Sequence, residues 1–108
     1  MNKTKKTLET KGLREYSLNE TLVYTYTSIY GFHNLWFNSI EEMSSHFGRS
    51  FCSMKKQTMN IRYLLGLTTC VYSDYSKLQK EVFDFITTSP RFEVEEIVKD
   101  IINNDEVI

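Results

Sequence analysis

The sequence predicts an all-α protein, in which a trihelical helix-turn-helix unit is followed by a C-terminal helical hairpin. Three observations predict this. Apolar residues recur at helical spacing in five segments, Ser residues stand at cap positions before four of them, and Gly residues follow three of them. The chain has 108 residues, which suits one compact domain and is too short for two ordinary ones.

Composition narrows the class of protein. Hydrophobic residues make up 41% of the chain and charged residues 25%, as in globular proteins. No apolar run approaches the roughly 20 residues that span a bilayer, and no secretory signal is apparent, so we expect no membrane contact. Two cysteines, Cys52 and Cys70, are fewer than a small secreted domain usually carries, which favours the cytoplasm. The lack of Ala and the abundance of Asn, Ile and Lys suggest an AT-rich source, such as a phage or a low-GC bacterium.

Charge is distributed unevenly along the chain. The net charge is −1, yet residues 1–66 carry nine Lys and Arg against five Asp and Glu, whereas residues 67–108 carry four against nine. A basic front and an acidic back are expected of a chain that contacts an anion with one half. The simpler alternative is that the charge of the terminal segments varies without any functional role.

The first segments divide into an arm and a helix. Residues 1–16 have no helical period and are basic, and we interpret them as a flexible arm. Ser17 and Glu20 then form the sequence pattern of a capping box, and apolar spacing predicts a helix over 18–30 that ends at Gly31.

An aromatic connector and two short helices follow. We expect residues 32–38 to pack Phe32, Leu35 or Trp36 onto the core. A second capping box, with Ser39 and Glu42, opens a helix that ends at Gly48. The next helix spans 50–65, with Ser50 as its cap and Gly66 after its end, and its apolar positions are Phe51, Met54, Thr58, Ile61 and Leu65.

In the C-terminal extension, residues 68–108, the apolar spacing predicts two further helices. After a β-prone linker (Thr68–Tyr72), one apolar stripe comprises Tyr75, Leu78, Val82, Phe85 and Ile86, and a second comprises Val94, Ile97, Val98, Ile101 and Ile102. Between them Ser89 is the predicted cap and Pro90 the first helical residue. The second stripe either packs on the preceding helices or forms a homodimer through residues 94–102.

The spacing from Ile40 to Leu67 is typical of a helix-turn-helix. Met43 is the buried position of the first helix, Ser44 is the small residue that permits close approach, Gly48 lies in the turn, and Met54 locks the second helix. The run Phe47-Gly48-Arg49-Ser50, with Ser53-Met54 and a closing Leu65-Gly66-Leu67, resembles the "LGRS-x-x-SV … LGL" stretch of Myb-like and GcrA-like helix-turn-helix proteins.

That resemblance covers about residues 16–67, including Tyr16-Ser17 with Glu20 and Tyr30-Gly31, which are similar to the family's first helix. It departs from the family where Ser44 replaces the usual Ala, where Gln57 replaces a frequent Arg, and in the longer aromatic connector. It implies a trihelical homeodomain-like fold that binds double-stranded DNA by inserting the helix over 50–65 into the major groove.

With that geometry, 100° per residue places Cys52, Lys56, Met59, Asn60 and Tyr63 on the face opposite Met54, Thr58 and Ile61. Gln57 and Asn60 are then candidates to read base edges, because an amide pairs with adenine through two hydrogen bonds. The candidates for phosphate contacts or positioning are Arg49, Ser50, Ser53, Lys55, Lys56 and Arg62, and Lys5 and Lys6 of the arm are candidates for the minor groove. An ordinary solvated helix face is the alternative for the lysines.

Nothing in the sequence points to catalysis, a cofactor or a metal. Cys52, Cys70, His33 and His46 lack the spacing of zinc ligands, and no glycine-rich phosphate loop is present. The sequence therefore predicts a non-enzymatic, sequence-specific DNA-binding protein, a small phage or bacterial transcription regulator. The alternative is a small interaction module whose acidic back and exposed aromatic residues, Trp36 and Phe37, bind a host protein, such as part of the transcription machinery.

Overall fold

A computed structural model describes residues 15–33, 35–68 and 75–104 of the chain, and within these ranges all regular secondary structure is helical. This confirms the predicted all-α class. The five helices are α1 (Leu18–Tyr30), α2 (Ile40–His46), α3 (Phe51–Leu64), α4 (Lys77–Thr87) and α5 (Arg91–Asn104). None of them is long and apolar enough to cross a membrane. Most of the predicted basic arm and residues 69–72 of the predicted linker lie outside the described ranges.

The predicted start and end of α1 are confirmed in atomic detail. The Ser17 hydroxyl accepts a hydrogen bond from the Glu20 backbone N–H at 3.1 Å, and the Glu20 carboxylate accepts one from the Ser17 N–H at 2.9 Å. Gly31 follows the helix with φ at 86°, a conformation that costs glycine little. At α2 the box is incomplete. Ser39 caps Glu42, but the Glu42 carboxylate accepts from Asn38 instead of the cap residue.

The predicted start of α5 is wrong by one residue. The Pro90 carbonyl accepts the first helical hydrogen bonds, from Glu93 and Val94, so Pro90 precedes the helix and Arg91 is its first residue. The Ser89 hydroxyl donates to the Phe85 carbonyl at 2.6 Å and therefore does not cap α5. The reason is proximity, since Ser89 follows the end of α4 so closely that its side chain reaches back to that helix.

The central element is α1, which contacts α3, α4 and α5. Its buried residues lie on nearly every side of the helix, and they are Glu20, Thr21, Val23, Tyr24, Thr25, Tyr26 and Thr27. A helix surrounded in this way is buried on more than one face. Its hydroxyl groups are largely satisfied by the preceding turn, as the Thr27 and Ser28 hydroxyls both donate to the Tyr24 carbonyl.

The two C-terminal helices complete the same hydrophobic core. Val82 and Ile86 of α4, and Val94, Val98 and Ile102 of α5, are each at most 4% exposed and belong to one cluster with the core of α1. Val94, Val98 and Ile102 of the second stripe are therefore packed on the rest of the chain, and the homodimer through residues 94–102 stays a prediction. Three predicted stripe residues remain partly exposed, namely Tyr75, Phe85 and Ile97.

The connector between α1 and α2 places its aromatic residues differently from expectation. Phe37 is buried at 4% exposure and packs edge to face against Phe32 and His46, so the expectation of an exposed Phe37 is wrong. Trp36 is 73% exposed and contributes little to the core. Phe32 and Leu35 pack against the core as predicted.

Candidate nucleic-acid interface

The turn between α2 and α3 is a Schellman motif. Arg49 N–H donates to the Ser44 carbonyl at 2.8 Å, Gly48 N–H donates to the Ser45 carbonyl at 3.1 Å, and Gly48 adopts φ 69°. These bonds satisfy carbonyls that the end of a helix would otherwise leave open. The glycine predicted in the turn is therefore used for its left-handed conformation, and the chain turns within four residues from α2 into α3.

The two helices are held together by the residues that the spacing predicts. Met43 and Met54 are fully buried, and Phe47 and Ser44 are at most 3% exposed. Ser50 caps α3, because its hydroxyl accepts a hydrogen bond from the Ser53 N–H. The pair has the sequence order, short turn and buried contacts of a helix-turn-helix.

Arg49 lies in the interior, and the prediction that it is available for a phosphate is wrong. Its guanidinium makes two hydrogen bonds to the Glu20 carboxylate, at 2.7 and 2.8 Å, and a third to the Glu15 carbonyl. It also lies 3.8 Å from the centre of the Tyr16 ring. The side chains of Arg49 and Glu20 are 6% and 11% exposed. Sequence spacing misses this pair because its partners are 29 residues apart.

Ser53 is also engaged within the fold. Its hydroxyl is 2.6 Å from the Tyr16 hydroxyl, so the contact joins the start of α3 to the residue before the α1 cap. Together with Arg49 and Glu20, this contact fixes the N-terminal end of α3 against α1. Ser50 remains exposed at the start of α3 while it serves as the cap.

The two amides predicted to read bases are not on the exposed face. Asn60 is 1% exposed, and its Oδ1 atom has no hydrogen-bond partner. Gln57 is half-buried, and its Oε1 accepts from Gln79 Nε2 at 2.8 Å. For Gln57 the prediction fails because α3 contacts α4 as well as α1, and Gln79 of α4 occupies the amide oxygen of Gln57.

Gln79 is a polar residue whose role sequence analysis missed. It is 3% exposed, and its Nε2 group donates to both Tyr24 and Gln57 while its Oε1 accepts from Ser76 N–H. The pattern Ser76-Lys-Leu-Gln79 is that of a capping box and could have identified the local part of this role. Burial raises the pKa of Tyr24 to about 12, although the hydrogen bonds from Thr21 and Gln79 act in the opposite direction.

The outer face of α3 keeps the predicted cations. Lys55, Lys56 and Arg62 are exposed, and Lys55 Nζ lies 5.8 Å from the centre of the Phe51 ring. No Asp or Glu occurs between Glu42 and Asp74 in the sequence, so α3 carries no carboxylate. The positive charge of this face is therefore not compensated along its own helix. Lys5 and Lys6 lie outside the described residues.

Other chemistry finds no support in the described part of the chain. No three His, Cys, Asp or Glu residues come together there as a group that could hold a metal. Cys52 is an exposed free thiol on α3. Comparison with known protein families, curated proteins and solved structures finds no match to this chain.

Proposed function

We propose that this protein binds double-stranded DNA through the helix-turn-helix formed by α2 and α3, and that it acts as a small transcription regulator in the cytoplasm of a bacterium or of a phage-infected cell. The proposal is for a binding protein without enzymatic activity. The observation that carries it is the outer face of α3, which presents Lys55, Lys56 and Arg62 on the second helix of a helix-turn-helix that has no carboxylate of its own. Such a face matches the charge of a phosphate backbone.

The buried residues add to this argument. Arg49, Ser53, Gln57 and Asn60 are engaged in or covered by the fold, so the charged residues left at the surface of α3 are the three cations. The ion pair and the Ser53–Tyr16 contact also fix the N-terminal end of α3, which is the part of a recognition helix that approaches base edges. Rigid support of this kind reduces the ordering that binding would require.

Binding of a fluorescently labelled mixed-sequence duplex, measured by anisotropy at several salt concentrations, tests the proposal. We expect affinity to fall steeply as salt rises, because each neutralised phosphate releases counterions. Lys55→Ala and Arg62→Ala should each weaken binding and reduce the slope of log affinity against log salt by about 1. Lys80→Ala is the matched control, since Lys80 is exposed on α4 and paired with Asp84. Absence of binding at low salt would contradict the proposal.

A second candidate function is binding of a partner protein, such as part of a host's transcription machinery. The observation that favours it is the exposure of Trp36 and Phe92, at 73% and 71%. Trp36 lines a shallow cavity together with Lys99, Ile102 and Asn103, so it stands beside the outer face of α5. If the protein binds no DNA and Trp36→Ala abolishes its effect on transcription in the native cell while leaving the fold intact, this second function replaces the first.

A further inference from the structure

The burial of the two amides changes which base the recognition helix can read. The side chains that α3 exposes are Phe51, Cys52, Lys55, Lys56, Arg62 and Tyr63, with Met59 half-buried among them. Gln57 is half-buried like Met59, but its Oε1 already accepts from Gln79, and Asn60 is buried, so neither amide presents both its donor and its acceptor at the surface. A bidentate contact to adenine requires a group that both donates and accepts, and the exposed residues near the middle of the helix do not provide one.

Position along the helix separates the three cations. The N-terminal half of a recognition helix contacts base edges, and Lys55 and Lys56 lie in that half, whereas Arg62 lies in the last turn. Lys55 leans over the Phe51 ring. Lys56 has neither an ion pair nor an aromatic contact among the described residues, and it is exposed. It is therefore the cation best placed to extend into a groove.

The chemistry of the ammonium group selects the base. A lysine offers three donors and no acceptor. In the major groove guanine presents two adjacent acceptors, N7 and O6, whereas adenine presents one acceptor beside a donor, cytosine presents a donor, and thymine presents the single acceptor O4. Met59, one turn further along the same face, offers an apolar group that suits the methyl group of thymine.

We infer that Lys56 reads a guanine in the major groove, beside a thymine contacted by Met59, so that the preferred DNA site contains guanine where the sequence alone predicts adenine. This inference rests on the proposed function. Lys55 and Arg62 then hold phosphates and carry the part of the affinity that does not depend on sequence.

Selection of bound duplexes from a random library tests the inference, with the wild-type protein, Lys56→Gln, Lys56→Ala and Lys56→Arg run in parallel. We expect the wild type and Lys56→Arg to enrich a guanine at one position. Lys56→Ala should lose that preference, and Lys56→Gln should shift it towards adenine, because an amide pairs with adenine. Replacing the guanine in the selected site should weaken wild-type binding about 5- to 100-fold.

Lys77→Ala provides the control, because Lys77 is an exposed cation at the start of α4 and its loss should leave the selected sequence unchanged. Thermal unfolding of each variant checks that the fold is intact. Salt-dependent binding without guanine enrichment, or enrichment that survives Lys56→Ala, would overturn the inference while the proposed function stands. No binding of the wild type to any duplex would overturn both.

Discussion

Arg49 shows how a residue in the turn of the helix-turn-helix serves the fold, although the sequence predicts a phosphate contact for it. Its guanidinium is paired with Glu20 through two hydrogen bonds and packed on Tyr16, and both charged side chains are nearly covered. Removal of one member of such a pair leaves the other charge buried and uncompensated. The pair joins the turn of the helix-turn-helix to the first turn of α1. Its loss is therefore expected to lower the stability of the fold.

We expect Arg49→Ala to lower the free energy of unfolding by about 3 kcal/mol, because Glu20 would remain buried without its partner. Lys80→Ala breaks the exposed Lys80–Asp84 pair and should cost less than about 0.5 kcal/mol. Urea denaturation of both variants measures the difference. An Arg49→Ala protein as stable as the Lys80→Ala control would show that the buried pair does not stabilise the fold.

For Asn60 we expect a substitution to raise the free energy of unfolding. Its Oδ1 atom is buried without a hydrogen-bond partner, and an apolar side chain of similar size removes that cost. Asn60→Leu should therefore raise the free energy of unfolding by about 1 kcal/mol and leave DNA affinity unchanged. Denaturant unfolding and the anisotropy assay report the two quantities. A large loss of affinity in a well-folded variant would restore Asn60 as a base reader.

The raised pKa of Tyr24 leads us to expect a loss of stability at alkaline pH. Burial raises its pKa from 10.0 to about 12 in the folded protein. Below pH 10 the phenol is protonated in both states, and between pH 10 and 12 it ionises only in the unfolded chain, so stability decreases over that window. The expected loss is about 3 kcal/mol in total. Comparison of wild type with Tyr24→Phe between pH 9 and 11.5 isolates this contribution, since Phe does not titrate. Parallel curves would contradict it.

At the scale of the elements, local signals in the sequence were sufficient for the helices near residues 17–66. Ser17, Ser50 and the glycines at 31, 48 and 66 mark helix ends by backbone chemistry that involves neighbours only, and the structure places each as expected. Ser89 is the instructive exception. Its hydroxyl could accept from a backbone N–H at the start of α5 or donate to a carbonyl of α4, and it donates to the Phe85 carbonyl. Sequence alone does not rank such competitors.

Replacement of Gly48 tests the turn between α2 and α3. An added Cβ would meet no atom within 4 Å, so the cost of Gly48→Ala arises from its φ of 69° alone. We expect a loss of about 1 kcal/mol in the free energy of unfolding, from the left-handed conformation of a non-glycine residue. Gly48→Asn should cost less, because Asn tolerates this region. Thermal or urea unfolding ranks the three proteins, and equal stability of Gly48→Ala and the wild type would show that the turn relaxes.

At the scale of the whole molecule, the sequence predicts the apolar stripes of α4 and α5. It does not predict which surface of the protein these stripes cover. That answer depends on α1, whose buried residues Thr21, Thr25 and Thr27 give no apolar signal in the sequence. The exposure of Gln57 and Asn60 was predicted wrongly because it also depends on contacts between helices. The covering of Gln57 follows from the contact between α3 and α4, which no local pattern encodes.

The stripe of α5 gives a prediction about assembly. Val98 is fully buried and Ile97 is 38% exposed. Val98→Ala should lower the free energy of unfolding by about 1.5 kcal/mol, whereas Ile97→Ala should cost less than about 1 kcal/mol although it removes more atoms. We also expect the melting temperature to be independent of protein concentration. A melting temperature that rises with concentration would indicate that the stripe, or another surface, holds a dimer together.

The central position of α1 has a consequence for how the chain folds. Its buried face is completed by partners far along the sequence, as in the contacts of Tyr24 with Gln79 and of Tyr26 with Glu95, which are 55 and 69 residues apart. Such separations raise the contact order, and the entropy of closing long loops must be overcome before these contacts form. The contacts of α3 with α1 close shorter loops, of 29 and 37 residues, so α4 and α5 are expected to dock after α3. The whole chain is expected to fold more slowly than a bundle of three consecutive helices.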